Sequence, residues 1–190
     1  MKDKILIEVS ARHIHLSQDD LEILFGNGYE LSEYKKLSQT GEFAAEEKLV
    51  IVGPKSKIKG VRIIGPVRTD TQVEVSKTDG HKLGVIPPVR VSGDIKGTPG
   101  IKIIGPGGEV ELEKGLILTQ RHIHMSEADA NKYNVHNQQE VSVKVEGERE
   151  LIFNKVIVRV KDNFNTSFQI DTDEANAGLI NNGDSGELIK

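Results

Sequence analysis

The chain has 190 residues, a formal net charge of −4, 4% aromatic residues and no cysteine. That length supports one large core or two small ones. No basic run or set of stacking aromatics is present, so nucleic acid is not an expected partner. The lack of cysteine excludes disulfides and thiolate ligands, and it fits a reducing compartment.

Residues 5–9 read as a strand entered directly from the N-terminal methionine. No signal peptide or membrane-spanning run is visible, so no membrane partner and a cytoplasmic location are expected. The strand leads into Arg12-His13-Ile14-His15, followed by an amphipathic helix over 17–25 that stops before Gly26-Asn27-Gly28. Another short helix is expected around 32–37. From 48 to 119, short apolar runs alternate with Gly and Pro. They predict strands at 48–52, 61–64, 72–75, 101–104, 110–112 and 116–118, the pattern of a barrel or sandwich. Arg121-His122-Ile123-His124 then repeats the earlier motif, and a helix over 127–133 follows. Strands are expected at 140–145 and 150–160. Asp171-Thr172-Asp173-Glu174 opens a capped helical turn, and Asn181-Asn182-Gly183-Asp184 turns into a last strand.

The doubled motif holds four of the six histidines. In a strand, residues i and i+2 share a face, so each copy offers two imidazoles on one side and an isoleucine on the other. Imidazole is a common ligand for transition metals, and a duplicated pair points to metal chemistry. Each copy continues into Ser-x-x-Asp (Ser17 with Asp20, Ser126 with Asp129), which caps a helix start. Arg62-Ile63-Ile64-Gly65-Pro66 and Lys102-Ile103-Ile104-Gly105-Pro106 are a further echo, so pseudo-symmetric halves are expected. Four histidines around one zinc would close a structural site. Two zincs, each with one pair and a further ligand, would leave room for chemistry. Pattern alone does not choose that further ligand among 29 acidic residues. By alternation, Arg12 and Arg121 point away from the metal face and are expected in structural pairs.

Several stretches together resemble the PduL-type phosphotransacylases, or phosphate propanoyltransferases. They are Val9-Ser10-Ala11-Arg12-His13-Ile14-His15-Leu16-Ser17, Gly41-Glu42-Phe43-Ala44-Ala45-Glu46-Glu47, and Gly65-Pro66-Val67-Arg68 with Gln72-Val73-Glu74-Val75-Ser76. Pro87-Pro88-Val89-Arg90 with Ser92-Gly93-Asp94, Gln120-Arg121-His122-Ile123-His124-Met125-Ser126 and Asp171-Thr172-Asp173-Glu174-Ala175-Asn176-Ala177 extend the likeness over nearly the whole chain. The resemblance implies a mainly β fold of two small apposed β-barrels with short capping helices. Residues 1–11 with 120–190 would form one barrel and residues 12–119 the other. It implies reversible transfer of a propanoyl or acetyl group between coenzyme A and inorganic phosphate, as in propanediol degradation. Two zinc ions would lie between the barrels. His13, His15 and Glu74 match the ligands of the first, and His122 and His124 match ligands of the second. Arg68 matches the arginine that holds phosphate, for which a guanidinium fork is suited. Arg90 is a second candidate anion contact for coenzyme A.

The chain departs from the family at Gln169, where a histidine would complete the second zinc site. An amide oxygen is a poorer zinc ligand, so a weaker second metal is expected. His81 stands where a large apolar residue is expected, and His136 is expected in a surface loop. Family members destined for bacterial microcompartments carry an amphipathic N-terminal extension. None is seen here, which favours the free cytoplasmic form while leaving microcompartment association open; the resemblance also implies a possible homodimer. A metallohydrolase would need Asp and His soon after the first pair, which His15-Leu16-Ser17-Gln18-Asp19 does not supply. A 2-His-1-carboxylate oxygenase leaves one pair unexplained. A metal-stabilised binding module would show closed metals and no turnover.

Overall fold

Alternating apolar and polar residues, cut every few positions by Gly or Pro, leave the chain little choice but short strands. The computed structural model describes residues 4–190. In chain order the first elements are β1 (Lys4–Ser10), β2 (His13–His15), α1 (Gln18–Phe25), β3 (Glu33–Lys36), β4 (Phe43–Val52), β5 (Lys57–Gly65), β6 (Gln72–Glu74), α2 (Lys77–Leu83), β7 (Val89–Arg90), β8 (Lys102–Ile104), β9 (Glu109–Glu111) and β10 (Leu116–Thr119). They are followed by β11 (His122–Met125), α3 (Glu127–Tyr133), β12 (Glu140–Val145), β13 (Leu151–Val160), β14 (Ser167–Asp171), α4 (Thr172–Gly178) and β15 (Ser185–Ile189). The fold is mainly β with short helices, as the sequence predicts. Among the described residues, no helix is long and apolar enough to cross a membrane.

The chain divides into two compact units. One comprises the described residues of Met1–Ala11 together with Gln120–Lys190, and the other Arg12–Thr119. In the first, β1, β14, β11, β13, β12 and β15 close into a barrel. Closure leaves no unpaired strand edge. Its interior holds Ile7, Ile123, Met125, Val143, Val158 and Phe168, all fully buried. Phe153 meets Phe168 edge-on with ring centroids 5.6 Å apart. In the second unit, nine strands form a half-barrel sheet in the order β7-β10-β6-β2-β5-β4-β8-β9, with β3 added on β4. Ile14, Leu16, Ile51, Ile63 and Val73 fill its core.

Both units carry the same local plan. In each, the His-Ile-His strand pairs antiparallel with a strand that leads into a capped helix. The pairs are His13↔Glu74, Ile14↔Val73 and His15↔Gln72 in one, and His122↔Gln169, Ile123↔Phe168 and His124↔Ser167 in the other. The following helices, α2 and α4, both begin in a full capping box, Ser76 with Asp79 and Asp171 with Glu174. The arginine before each histidine pair anchors that box. Arg12 Nε lies 2.8 Å from Asp79 Oδ2, and Arg121 Nε 2.9 Å from Glu174 Oε1. These are the structural pairs that alternation predicts. Ser17 and Ser126 cap α1 and α3, accepting bonds from the Asp20 and Asp129 amides at 3.2 and 3.1 Å.

The chain also crosses over twice. β1 directly precedes the first motif copy, yet it pairs in the barrel with β14 and β15. β10 precedes the second copy, yet it pairs with β6 and β7 in the half-barrel.

Two local expectations change. The segment expected as a helix, 32–37, instead contains strand β3 (Glu33–Lys36), with Glu33↔Ala45 and Lys36↔Phe43 in register. The segment has no apolar stripe at helical spacing, and its exposed lysines suit a sheet edge. Conversely, α2 was not visible in sequence, because Gly80 and Thr78 are poor helix formers. Its capping box starts it, and Gly84 ends it in the left-handed region at φ 81°, where glycine is at ease.

Replacing Phe168 by alanine removes a fully buried ring from the barrel. The expected loss is about 3–5 kcal/mol, read by urea unfolding followed by circular dichroism. Ile152→Thr, at an exposed site on β13, is expected to change stability by less than about 0.5 kcal/mol.

Candidate metal centre

β2 is three residues long and buried throughout. Ile14 packs into the core, so His13 and His15 turn together to the opposite face. The antiparallel neighbour β6 brings Glu74 directly beside them. His13 Nε2 lies 3.4 Å from Glu74 Oε2, and His15 Nε2 lies 3.7 Å from Glu74 Oε1. One candidate ligand atom from each of the three falls within 4.8 Å of the others, the one such group of three or more among the described residues. The imidazole rings are 5.0 Å apart and nearly perpendicular.

The protonation states favour a cation here. Burial, reinforced by the neighbouring His13, lowers the His15 pKa to about 3, with Glu74 opposing. The ring is therefore neutral and keeps a lone pair. Its Nδ1 sits 3.2 Å from the Ile64 carbonyl oxygen; as a donor there, it leaves Nε2 free to ligate. Burial alone would raise Glu74, but the facing His13 and His15 and a bond from Thr119 outweigh it. The carboxyl is held well below the usual range. Two imidazoles and one carboxylate form a donor set that suits zinc, and three protein ligands leave a fourth position open.

Glu74 is held by a network that the sequence did not reveal. Thr119 donates to Oε2. Oε1 accepts from Gln72 Nε2 at 2.6 Å and from Ser92 Oγ at 2.8 Å. Gln72 is buried, and its amide oxygen accepts from the Gly93 N–H at 2.8 Å, tying down the loop after β7. Ser92 also receives Arg68 Nη1 at 3.3 Å, while Arg68 Nη2 lies 3.2 Å from Glu42. The arginine thus stands one hydroxyl away from Glu74. It does not pair with Asp70, which meets Lys114 at 3.3 Å. Arg90 lies opposite Thr119 in the β7–β10 pair, partly exposed, with Asp94 3.9 Å away. The one sequence signal for this network is a hydroxyl in the same place before each motif copy, Ser10 and Thr119.

In the barrel unit, β11 presents His122 and His124 on one face, with ring centroids 4.6 Å apart. His122 Nδ1 lies 2.9 Å from the Gln120 carbonyl oxygen, so Nε2 is the ring nitrogen that would ligate a cation. His124 packs on Phe164 with centroids 4.3 Å apart. Gln169 stands opposite His122 on β14. Its amide nitrogen donates to Glu8 and, at 2.9 Å, to Ser167 Oγ, while its oxygen accepts from Ser10 Oγ at 3.3 Å. Two imidazoles and an amide oxygen suit the same ion with lower affinity than a set that includes a carboxylate. His81 is exposed on α2, and His136 is exposed with Nδ1 3.1 Å from the Asn137 carbonyl oxygen. Neither belongs to a ligand cluster.

Residues 6–181 match the family model described as phosphate propanoyltransferase. The chain is 56% identical to the phosphate propanoyltransferase of Thermotoga maritima over 187 residues, 98% of this chain and 89% of that protein. It is 50% identical to the protein of that name from Clostridioides difficile, over 98% of this chain and 89% of the relative. A third, from Salmonella typhimurium, is 50% identical over 94% of this chain and 85% of its own length.

The geometry around Glu74 generates a binding test. Thr119→Val removes a supporting bond and is expected to weaken zinc binding about 10- to 100-fold, and Glu74→Gln is expected to weaken it at least as much. Competition against a chromophoric chelator measures both. Wild-type affinity in both variants would exclude this cluster as a metal centre.

Proposed function

Because the chain belongs to the phosphate propanoyltransferase family, we propose that it moves a short acyl group, propanoyl or acetyl, reversibly between coenzyme A and inorganic phosphate at a zinc centre. It is a phosphate acyltransferase by family; the zinc and the roles of individual residues are our reading. The observation that carries this reading is the buried cluster of His13, His15 and Glu74, joined through Ser92 to Arg68.

Acyl transfer from a thioester to phosphate needs no side-chain nucleophile. A phosphate oxygen forms a bond to the carbonyl carbon, the carbon–sulfur bond breaks, and the proton of hydrogen phosphate ends on the coenzyme A thiol. The chain's task is orientation and charge. Arg68, whose guanidinium is held between Glu42 and Ser92, offers a fixed fork for phosphate oxygens, which lowers the entropic part of the barrier. Arg90, on the neighbouring strand pair, is assigned to a coenzyme A phosphate. His13, His15 and Glu74 hold one zinc, and His122, His124 and Gln169 a second, weaker one. Bound zinc supplies Lewis acidity toward the thioester oxygen and stabilises a thiolate. Coenzyme A thioesters are cytoplasmic metabolites, so the reading assigns the enzyme to the cytoplasm.

Thiol release from propanoyl- or acetyl-coenzyme A, followed with and without phosphate, tests the reading. Phosphate-dependent release and acyl phosphate formation are expected. Chelation is expected to stop turnover and added zinc to restore it. Arg68→Ala is expected to raise the KM for phosphate at least about tenfold, the scale of one lost charged contact, with less effect on the KM for acyl-coenzyme A. Phosphate-independent release would make the protein a hydrolase, and no release under any condition would make it a binding protein.

A further inference from the structure

Glu74 and Gln169 occupy the same place in the two units. Each lies opposite the first histidine of its pair, His13 or His122. Each is followed two residues later by the N-cap of a helix, Ser76 or Asp171. Each accepts from a hydroxyl just before a motif copy, Thr119 or Ser10. Each bonds the residue two positions before it, Gln72 or Ser167. The difference is charge, since Glu74 is an anion and Gln169 is neutral.

The barrel supplies a carboxylate one strand further on. Glu8 and Gln169 are direct partners in the β1–β14 pair, and Gln169 is in turn the partner of His122. Glu8, Gln169 and His122 therefore form one row across three strands. By alternation they share the outer face, since Ile7, Phe168 and Ile123 fill the interior. The Gln169 amide nitrogen donates to the Glu8 carboxylate. An ionised carboxylate only accepts hydrogen bonds. It therefore fixes the nitrogen end of the amide, and the oxygen, which accepts from Ser10 Oγ, holds the place that Glu74 Oε2, bonded by Thr119 and 3.4 Å from His13 Nε2, has in the other unit. Without that anion, the amide's other partners are the Ser10 and Ser167 hydroxyls, which can each donate or accept and so also allow the turned amide, whose NH2 cannot bind a cation.

We infer that Glu8 is a positioning residue for a metal half-site made by His122, His124 and Gln169: it selects the amide orientation that offers oxygen, and it returns to the site the negative charge that Glu74 supplies in the other unit. This inference rests on the two-metal reading proposed above. A carboxylate bound to the N–H side of an amide also polarises it and makes its oxygen a better donor.

Zinc titration of the full-length protein against a chromophoric chelator, with metal content by mass spectrometry, tests this. Wild type is expected to take up two zincs, and the weaker step is assigned by its loss in His122→Ala. Glu8→Gln keeps the size of the side chain and removes its charge, and Glu8→Ala removes the partner altogether. Both are expected to weaken the second step about 10- to 100-fold, the scale for groups that support a ligand. The first step and the metal-free Tm should not move. In Gln169→His, imidazole replaces the amide; the second step is expected to tighten and to lose its dependence on Glu8. Equal second-step affinity in wild type and both Glu8 variants overturns this inference alone. A parallel fall in the first step or in the metal-free Tm also overturns it, by giving Glu8 a general structural role. A wild-type protein that binds one zinc overturns it together with the two-metal reading.

Discussion

The registration of one very short strand against its neighbour governs the chemistry of this protein. β2 has three residues, and its antiparallel pairing with β6 sets His13 against Glu74 and His15 against Gln72. Side chains alternate with a period of two, so a slip of one residue would send both imidazoles into the core and Ile14 to the ligand face. The fully buried Ile14 opposes that slip, since its transfer to water would cost about 1.5–3 kcal/mol. The apolar residue between the histidines is thus what keeps them aimed. The same logic holds β11, where Ile123 is buried between His122 and His124.

A registered carboxylate would still be costly to bury alone. Glu74 is almost fully enclosed, and an isolated buried anion is strongly disfavoured. Its oxygens are therefore matched by Thr119, Ser92 and Gln72 as well as by the two imidazoles. These partners come from four segments, β10, the loop after β7, β6 and β2, so the loop carrying Ser92 and Gly93 is placed by the same bonds that place the anion. Arg68 joins through Ser92. Arg68 and Glu74, the groups proposed for a phosphate-sized anion and for a cation, thus share one hydroxyl.

How much of this was readable in the sequence depended on distance along the chain. The histidine pairs, the serine caps and the arginine pairing follow from local spacing, and the structure has them. Glu74 could not be chosen from among 29 acidic residues by pattern, because its selection is made by pairing with a strand far away in sequence. Family resemblance, not periodicity, pointed to it. Ser92 and Gln72 were invisible for the same reason. Helix α2 was hidden because its propensity is poor and its stability comes from a capping box tied to Arg12. Within the segment 32–37 the charged residues carry no periodic signal for either state, and only the edge of β4 makes Glu33–Lys36 a strand rather than the expected helix. Gln169 was legible as a departure from the family, but its partner Glu8 was not, because the parallel pairing of β1 with β14 spans nearly the entire chain.

That long-range pairing sets an order of events during synthesis. Strand β1 is made first, but its neighbours β14 and β15 are made last. The half-barrel strands, β2 to β10, emerge as one uninterrupted stretch and have all their sheet partners once Thr119 is made. At about 5–20 residues per second, β1 waits on the order of 10–40 s for a partner. Throughout that interval Ile5 and Ile7, which later line the barrel, have no barrel to enter. Closing the ring joins the two ends of the described chain, a contact of high sequence separation and so of slow formation. The strand that carries Glu8 to Gln169 therefore stays unpaired until β14 is made, and the ring closes only when β15 joins β1 to β12.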